Sequence, residues 1–195
     1  MRKGRATKQG ILDQALHLSS EVGLEALSFG VLAKRAKMSK SGLYAHFDTK
    51  EQLQREVLDA AATKFIDTVL APALKEPRGL PRLRVLFDRW RVWEREGLSG
   101  GCLFVAAAAE FDDRPGPVRS HLVGHLLDML GAVARTARVT VEAGHFRDDL
   151  DTEQFAYEFW GLILAHHQYG RLLDQADAGR RAETAFERLV RDASP

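Results

Sequence analysis

Between Ser39 and Lys50 the chain reads "SKSGLYAHFDTK", and most of its polar side chains are hydrogen-bond donors. Lys40, Ser41, Tyr44, His46 and Lys50 can each donate to a phosphate oxygen or a base edge. Ser41 and Gly42 are small enough to let backbone approach a groove closely. If Ser39 caps a helix, free backbone N–H groups and the positive end of the helix dipole point at the same anion. The chemistry on offer is recognition of a polyanion.

Other reactive residues offer less. His121 and His125 stand four apart on one helix face, a spacing that can chelate a metal. No Cys or carboxylate falls at obvious ligand spacing beside them. The pair is therefore expected to line or flank a helical core, and no metal site is expected. His166 and His167 point to different faces of a helix. Cys102 follows Gly100-Gly101 at a helix start, where the dipole can lower a thiol pKa; a buried, inert cysteine is the commoner outcome. Asp112-Asp113 is a loop acid pair. No Ser-His-Asp arrangement, Gly-rich phosphate loop or zinc spacing is visible, so neither enzyme activity nor a cofactor is expected.

The elements that must position these residues read as helices throughout, because apolar and polar residues never alternate over a strand's length. Residues 7–22 place Ile11, Ala15, Leu18 and Val22 on one stripe, and Gly23 is suited to end that helix in a left-handed conformation. Ser28 can cap a second helix and Ser39 a third, with the turn at Lys37-Met38. Thr49 with Gln52 is a capping-box pattern opening a longer helix to about Leu70. Pro72, Pro77, Gly79 and Pro81 mark a linker. Further helices follow over Leu83–Trp93, "CLFVAAAAEF", Val118–Val133, about 152–176 and 180–192. The two short helices after Gly23 have the logic of a helix-turn-helix: one braces while the other projects. Leu43 and Phe47, four apart, would anchor the projecting helix from behind.

Charge distribution agrees. Residues 1–50 hold nine basic and four acidic side chains, a balance of +5, against −4 for the other 145 residues. A basic quarter on a mildly acidic body is the asymmetry expected where one end meets a polyanion. The arm "RKGR" (Arg2–Arg5) suits a minor groove or a solvated tail. A 45% hydrophobic fraction is ample for a core, and no apolar run approaches the ~18 residues that span a bilayer. The basic N-terminus lacks a following apolar h-region, so no signal peptide is expected. With Cys102 the only cysteine, no intrachain disulfide can form, and a cytoplasmic location is the default expectation.

The segment "ILDQALHLSSEVGLEALSFGVLAKRAKMSKSGLYAHFDTKEQL" resembles the N-terminal domain of TetR-type transcriptional repressors, over about residues 5–60. "SKSGLYAHFDTKEQL" is its most specific part: Ser, Lys, two small residues, an aliphatic, Tyr, any residue, an aromatic or His, then Phe. The resemblance implies that Ser28, Lys40, Tyr44 and Lys50 touch DNA phosphates, and that Ser41, Gly42 and His46 lie near base edges. Gly42 stands where the family often has Ser, Thr or Ala. The remainder resembles the family in helix count and order, the part that binds inducer.

The expected fold is all-α: a helix-turn-helix DNA-binding domain over residues 1–50, then a helical ligand-binding and dimerisation domain over 51–195. Aromatic residues spread over several helices of the second part can enclose an apolar pocket. Trp90, Trp93, Phe104, Met129 and Trp160, with Glu110, His121, His125 and His166 as polar lining, are the ligand-binding candidates. Residues 155–173 are apolar around most of the helix, and "AETAFERLV" adds a stripe of Ala182, Ala185, Phe186, Leu189 and Val190. Together they fit a homodimer seam, as a two-fold operator requires. The expected partners are double-stranded DNA, a small-molecule effector and a second copy, with no membrane. The alternative is a helical small-molecule-binding protein with a degenerate DNA-binding domain, for which Gly42 is the supporting feature.

Overall fold

The computed structural model describes the backbone of residues 2–195 and the side chains of residues 8–195. The basic side chains of the Arg2–Arg5 arm lie outside the described residues. Every regular element among those described is helical. Met1–Lys64 with Glu96–His125 form one compact unit, and Phe65–Arg95 with Leu126–Pro195 the other.

The first unit begins with α1 (Arg2–Val22), α2 (Phe29–Ala36), α3 (Lys40–Tyr44) and α4 (Lys50–Phe65). Ile11, Ala15 and Leu18 of α1 are buried as their spacing implies, with Leu12 and Leu16 beside them. Val22, expected on that stripe, is 46% exposed, because the helix ends there and the chain turns away. Gly23 makes the turn at φ +94°, and its N–H closes on Ser19 O at 2.9 Å. Leu24 and Leu27 are fully buried in the loop that follows.

Each expected cap is present. Ser28 Oγ accepts from Val31 N at 3.3 Å and Ser39 Oγ from Gly42 N at 3.1 Å. Thr49 Oγ1 accepts from Gln52 N at 3.0 Å, while the Gln52 side chain reaches back to the N–H of Asp48 rather than of Thr49. That is a capping box shifted by one residue. The polar Gln54 is buried without penalty, since its amide donates to Leu24 O at 2.8 Å.

α7 (Leu103–Phe111) and the start of α8 (Pro117–Glu142), through His125, complete this unit. Leu103, Phe104 and Ala107 of α7 are fully buried. The loop before α7 lies against α1: Gly100 N donates to Ser20 Oγ at 3.0 Å, and Ser20 Oγ donates to His17 O at 2.7 Å.

The second unit holds α5 (Ala71–Lys75), α6 (Leu80–Val92), the rest of α8, α9 (Thr152–His167) and α10 (Ala178–Ala193). The sequence reads Pro72, Pro77 and Pro81 as one linker. Pro81 instead occupies the first turn of α6, where a missing N–H removes no helical bond, and Pro72 lies within a helical run, directly after the π-helical turn Ile66–Leu70. The linker shrinks to residues 76–79. Aromatic packing fills the core: Phe87 stacks on Phe186 at 4.1 Å between centroids and meets Phe159 edge-on at 5.4 Å. Phe65 lies 4.8 Å from Trp90. Such pairs contribute about 0.5–1.5 kcal/mol each beyond burial. The Phe186, Ala182 and Val190 stripe of α10 is thereby buried within the chain itself.

Gly100 gives the sharpest stability test. A Cβ at that position would overlap the Ser20 carbonyl, a backbone group that cannot step aside. Gly100→Ala is expected to destabilise by about 3 kcal/mol, the upper part of the usual range for overpacking. An unchanged midpoint in urea would contradict the close approach.

Candidate nucleic-acid interface

α3 has five residues and no means of holding itself; isolated helices of that length do not form in water. Leu43 is fully buried and Phe47, just past the helix, nearly so. With these two inward, Lys40, Ser41 and Tyr44 face outward and are exposed, while Gly42 and His46 are half-buried. The Tyr44 ring rests on Phe29, with centroids 4.4 Å apart, so its hydroxyl is held at a fixed height above the surface. The chain enters α3 through Lys37, which is left-handed at φ +52°. A non-glycine residue there carries roughly 1 kcal/mol or more of strain. Met38 N donates to Ala33 O at 3.0 Å and closes the turn.

Gly42 has a local reason. A Cβ at Gly42 would stand 3.2 Å from Ser39 Oγ, the atom that caps the helix. Ser28, half-buried, is engaged in capping α2. Lys50 is held at the start of α4: its ammonium donates to Glu25 O at 2.6 Å and lies 3.3 Å from the Glu25 carboxylate. Arg114 lies 3.6 Å from the same carboxylate. A phosphate arriving at Lys50 therefore shares the ammonium with Glu25. The structure thus brings Lys40, Ser41, Gly42 and Tyr44 together on one face, with His46 at its edge. Lys50 stands apart on the next helix.

The nine ligand-binding candidates fall in both units. In the first, Phe104 is buried, and Glu110 braces the loop by accepting from Glu25 N at 2.7 Å. His125 lies 5.8 Å from the Phe104 ring, and His121 stands on the same face of α8. Both imidazoles hydrogen-bond Asp59 of α4. Sequence reasoning missed Asp59: it lies 62 positions from His121, and no local spacing relates the two.

In the second unit Trp90 and Trp93 are 1% and 2% exposed, Met129 is buried, and Trp160 lies 5.9 Å from Trp90. His166 borders two cavities. One, of about 670 Å³, is lined by Glu94, Arg95, His166, His167 and Arg171. The other, of about 190 Å³, is apolar and is lined by Leu162, Tyr169 and Ala182. Glu94 was also missed. It sits in the π-helical turn Trp93–Gly97, is 2% exposed, and pairs through one carboxylate oxygen with His167 Nδ1. Its other oxygen, Oε1, is buried with no hydrogen-bond partner. Cys102 is buried at the start of α7. No helix among the described residues is long and apolar enough to cross a membrane.

Residues 11–57 match the family model of bacterial regulatory proteins of the tetR family. Residues 79–186, more than half the chain, match the tetracyclin repressor-like C-terminal domain. The chain belongs to the TetR family, with an N-terminal helix-turn-helix and an all-helical C-terminal domain. It is 33% identical over 63 residues to the biofilm operon icaADBC HTH-type negative transcriptional regulator IcaR of Staphylococcus epidermidis. That match covers 32% of this chain and about a third of the relative, 34%. The fold is that of a TetR transcriptional regulator from Chloroflexus aurantiacus J-10-FL. Its TM-score is 0.86 at 24% identity, over 97% of this chain and 95% of that one. AibR, solved in complex with isovaleryl coenzyme A and operator DNA, has a TM-score of 0.71 at 23% identity, over 91% and 96% of the two chains.

Burial holds the His166 imidazole below its ordinary value of 6.5, outweighing the pull of the nearby Glu94 carboxylate. The folded state thus favours neutral His166, and the unfolded chain takes up the proton first as pH falls. That contribution to stability is fully present above pH 6.5 and is lost as pH drops below it. Acidification through this range is expected to lower the urea midpoint of the parent protein more than that of His166→Gln. Equal losses in both would contradict the assignment.

Proposed function

We propose that the chain is a ligand-responsive DNA-binding transcriptional regulator. In this reading it is a repressor that binds a palindromic operator as a homodimer and is released by a small hydrophobic effector. The observation that carries it is α3, seated on buried Leu43 and Phe47 with Lys40, Ser41 and Tyr44 exposed on its other face. Residues 1–50 are the DNA-binding part and 51–195 the ligand-binding and dimerisation part. Ser28, Lys40, Tyr44 and Lys50 contact phosphates; Ser41, Gly42 and His46 meet base edges. The negative regulation named for IcaR supports repression, and the operator and acyl-coenzyme A bound by AibR support an effector.

Homodimerisation has support of its own. Tyr157, Gly161 and Ala165 recur at four-residue spacing on an exposed face of α9, and small residues there let a second helix approach closely. Leu172 and Leu173, in and just after the π-helical turn Gln168–Leu172, are 79% and 50% exposed. A two-fold protein presents two copies of α3 about 34–36 Å apart, one turn of B-DNA. An effector that prefers another spacing depopulates that state; a hundredfold loss of affinity needs about 2.7 kcal/mol of differential binding. The Glu94–His166–His167 cavity offers such an effector polar anchors.

Gel-shift titration with the DNA flanking the chain's own gene tests the reading. Tyr44→Ala and Lys50→Ala are expected to weaken binding to all sequences, and Lys50→Ala to lower the salt slope by about 0.9. Full retention of affinity and slope in both variants would remove α3 and its neighbour from the interface.

A further inference from the structure

We infer that Asp59, His121 and His125 form a binding site for one divalent transition-metal ion of the Zn2+, Co2+ or Ni2+ class. The two histidines stand one helical turn apart near the start of α8, which places their rings on one side, edge to face, with centroids 4.8 Å apart. Asp59 comes from a different helix, α4. Its Oδ1 lies 2.7 Å from His121 Nε2 and 3.0 Å from His125 Nε2. Two imidazole nitrogens and one carboxylate oxygen thus converge, with all ligand atoms within 4.8 Å of one another.

Bond lengths of about 2.0–2.2 Å in a tetrahedral site place ligand atoms roughly 3.3 Å apart. Seating an ion asks Asp59 to withdraw by a few tenths of an ångström and the rings to turn so that ligand atoms spread over as much as 4.8 Å close to that spacing. Two nitrogens and one oxygen select Zn2+, Co2+ or Ni2+ over Mg2+ or Ca2+, which favour all-oxygen sets. The side chains of His125 and His121 are 19% and 32% exposed, and that of Asp59 54%. Solvent therefore reaches the ion from one side, while Phe104 packs beside His125 on the other. Three protein ligands and an open side leave a coordination position for water or an external ligand. Once bound, the ion ties α4 to the first turns of α8.

The histidines could serve only as donors to the Asp59 carboxylate, and a titration of the untagged full chain with Co2+, followed by its visible d–d absorption, separates the two roles. One equivalent per chain, displaced by Zn2+, is expected. Asp59→Asn and the double variant His121→Gln/His125→Gln should each weaken uptake by tenfold or more. No uptake at micromolar Co2+, or uptake equal in the parent and these variants, would overturn the site. On the unsubstituted protein, Zn2+ should shift the imidazole NMR signals of His121 and His125. Signals that stay in place while metal binds would also overturn it, whatever the variants' folding.

Discussion

Burial of Leu43 and Phe47 is the constraint on which the exposed polar face of α3, the proposed DNA-facing surface, depends. A helix of one turn and a half gains almost nothing from its own hydrogen bonds. What fixes α3 is the free energy of removing one leucine and one phenylalanine from water, about 1.5–3 kcal/mol each. The same two anchors decide orientation. With positions 43 and 47 pointing inward, helical geometry leaves positions 40, 41 and 44 pointing outward. The polar face is therefore a consequence of the core. It also explains why strain is tolerated at Lys37: the burial it permits offsets a left-handed residue.

Much of this was legible because the signals are local. Serine before an apolar periodic run, glycine at the end of α1, and leucine and phenylalanine four apart are decided within a single turn of chain. The capping side chains at Ser28, Ser39 and Thr49 all accept the bonds expected of them. Where the reading differed, longer-range or positional physics intervened. Val22 keeps the stripe's spacing but lies where the chain leaves the core. Pro81 has breaker chemistry, yet a first turn has no bond for it to break, and Pro72 is carried in a helical run just after a π-helical turn.

The site residues were legible only in part. Lys50 could be placed at a helix start, but its engagement with Glu25 depends on a loop 25 residues earlier folding back on it. Asp59 and Glu94 carry no local signature. Each gains its role from a histidine that tertiary structure supplies, over 62 and 73 positions. The aromatic residues show the converse. Their number allowed both a core and a pocket, and Phe65, Phe87, Trp90, Phe159 and Phe186 pack against one another as core. Hydrophobic content measures how much must be buried and says nothing of where space is left. The polar cavity beside Glu94 arises where a π-helical turn interrupts the regular ladder, a place such turns often mark.

In the proposed function, a helix seated by two buried side chains carries its opposite face to DNA. Amide hydrogen exchange, with and without the DNA flanking the chain's own gene, addresses it residue by residue. Slowed exchange across Lys40–His46 on DNA addition, with the amides of α10 unchanged, is the expected result. Bound DNA that leaves Lys40–His46 exchanging as freely as before would contradict it.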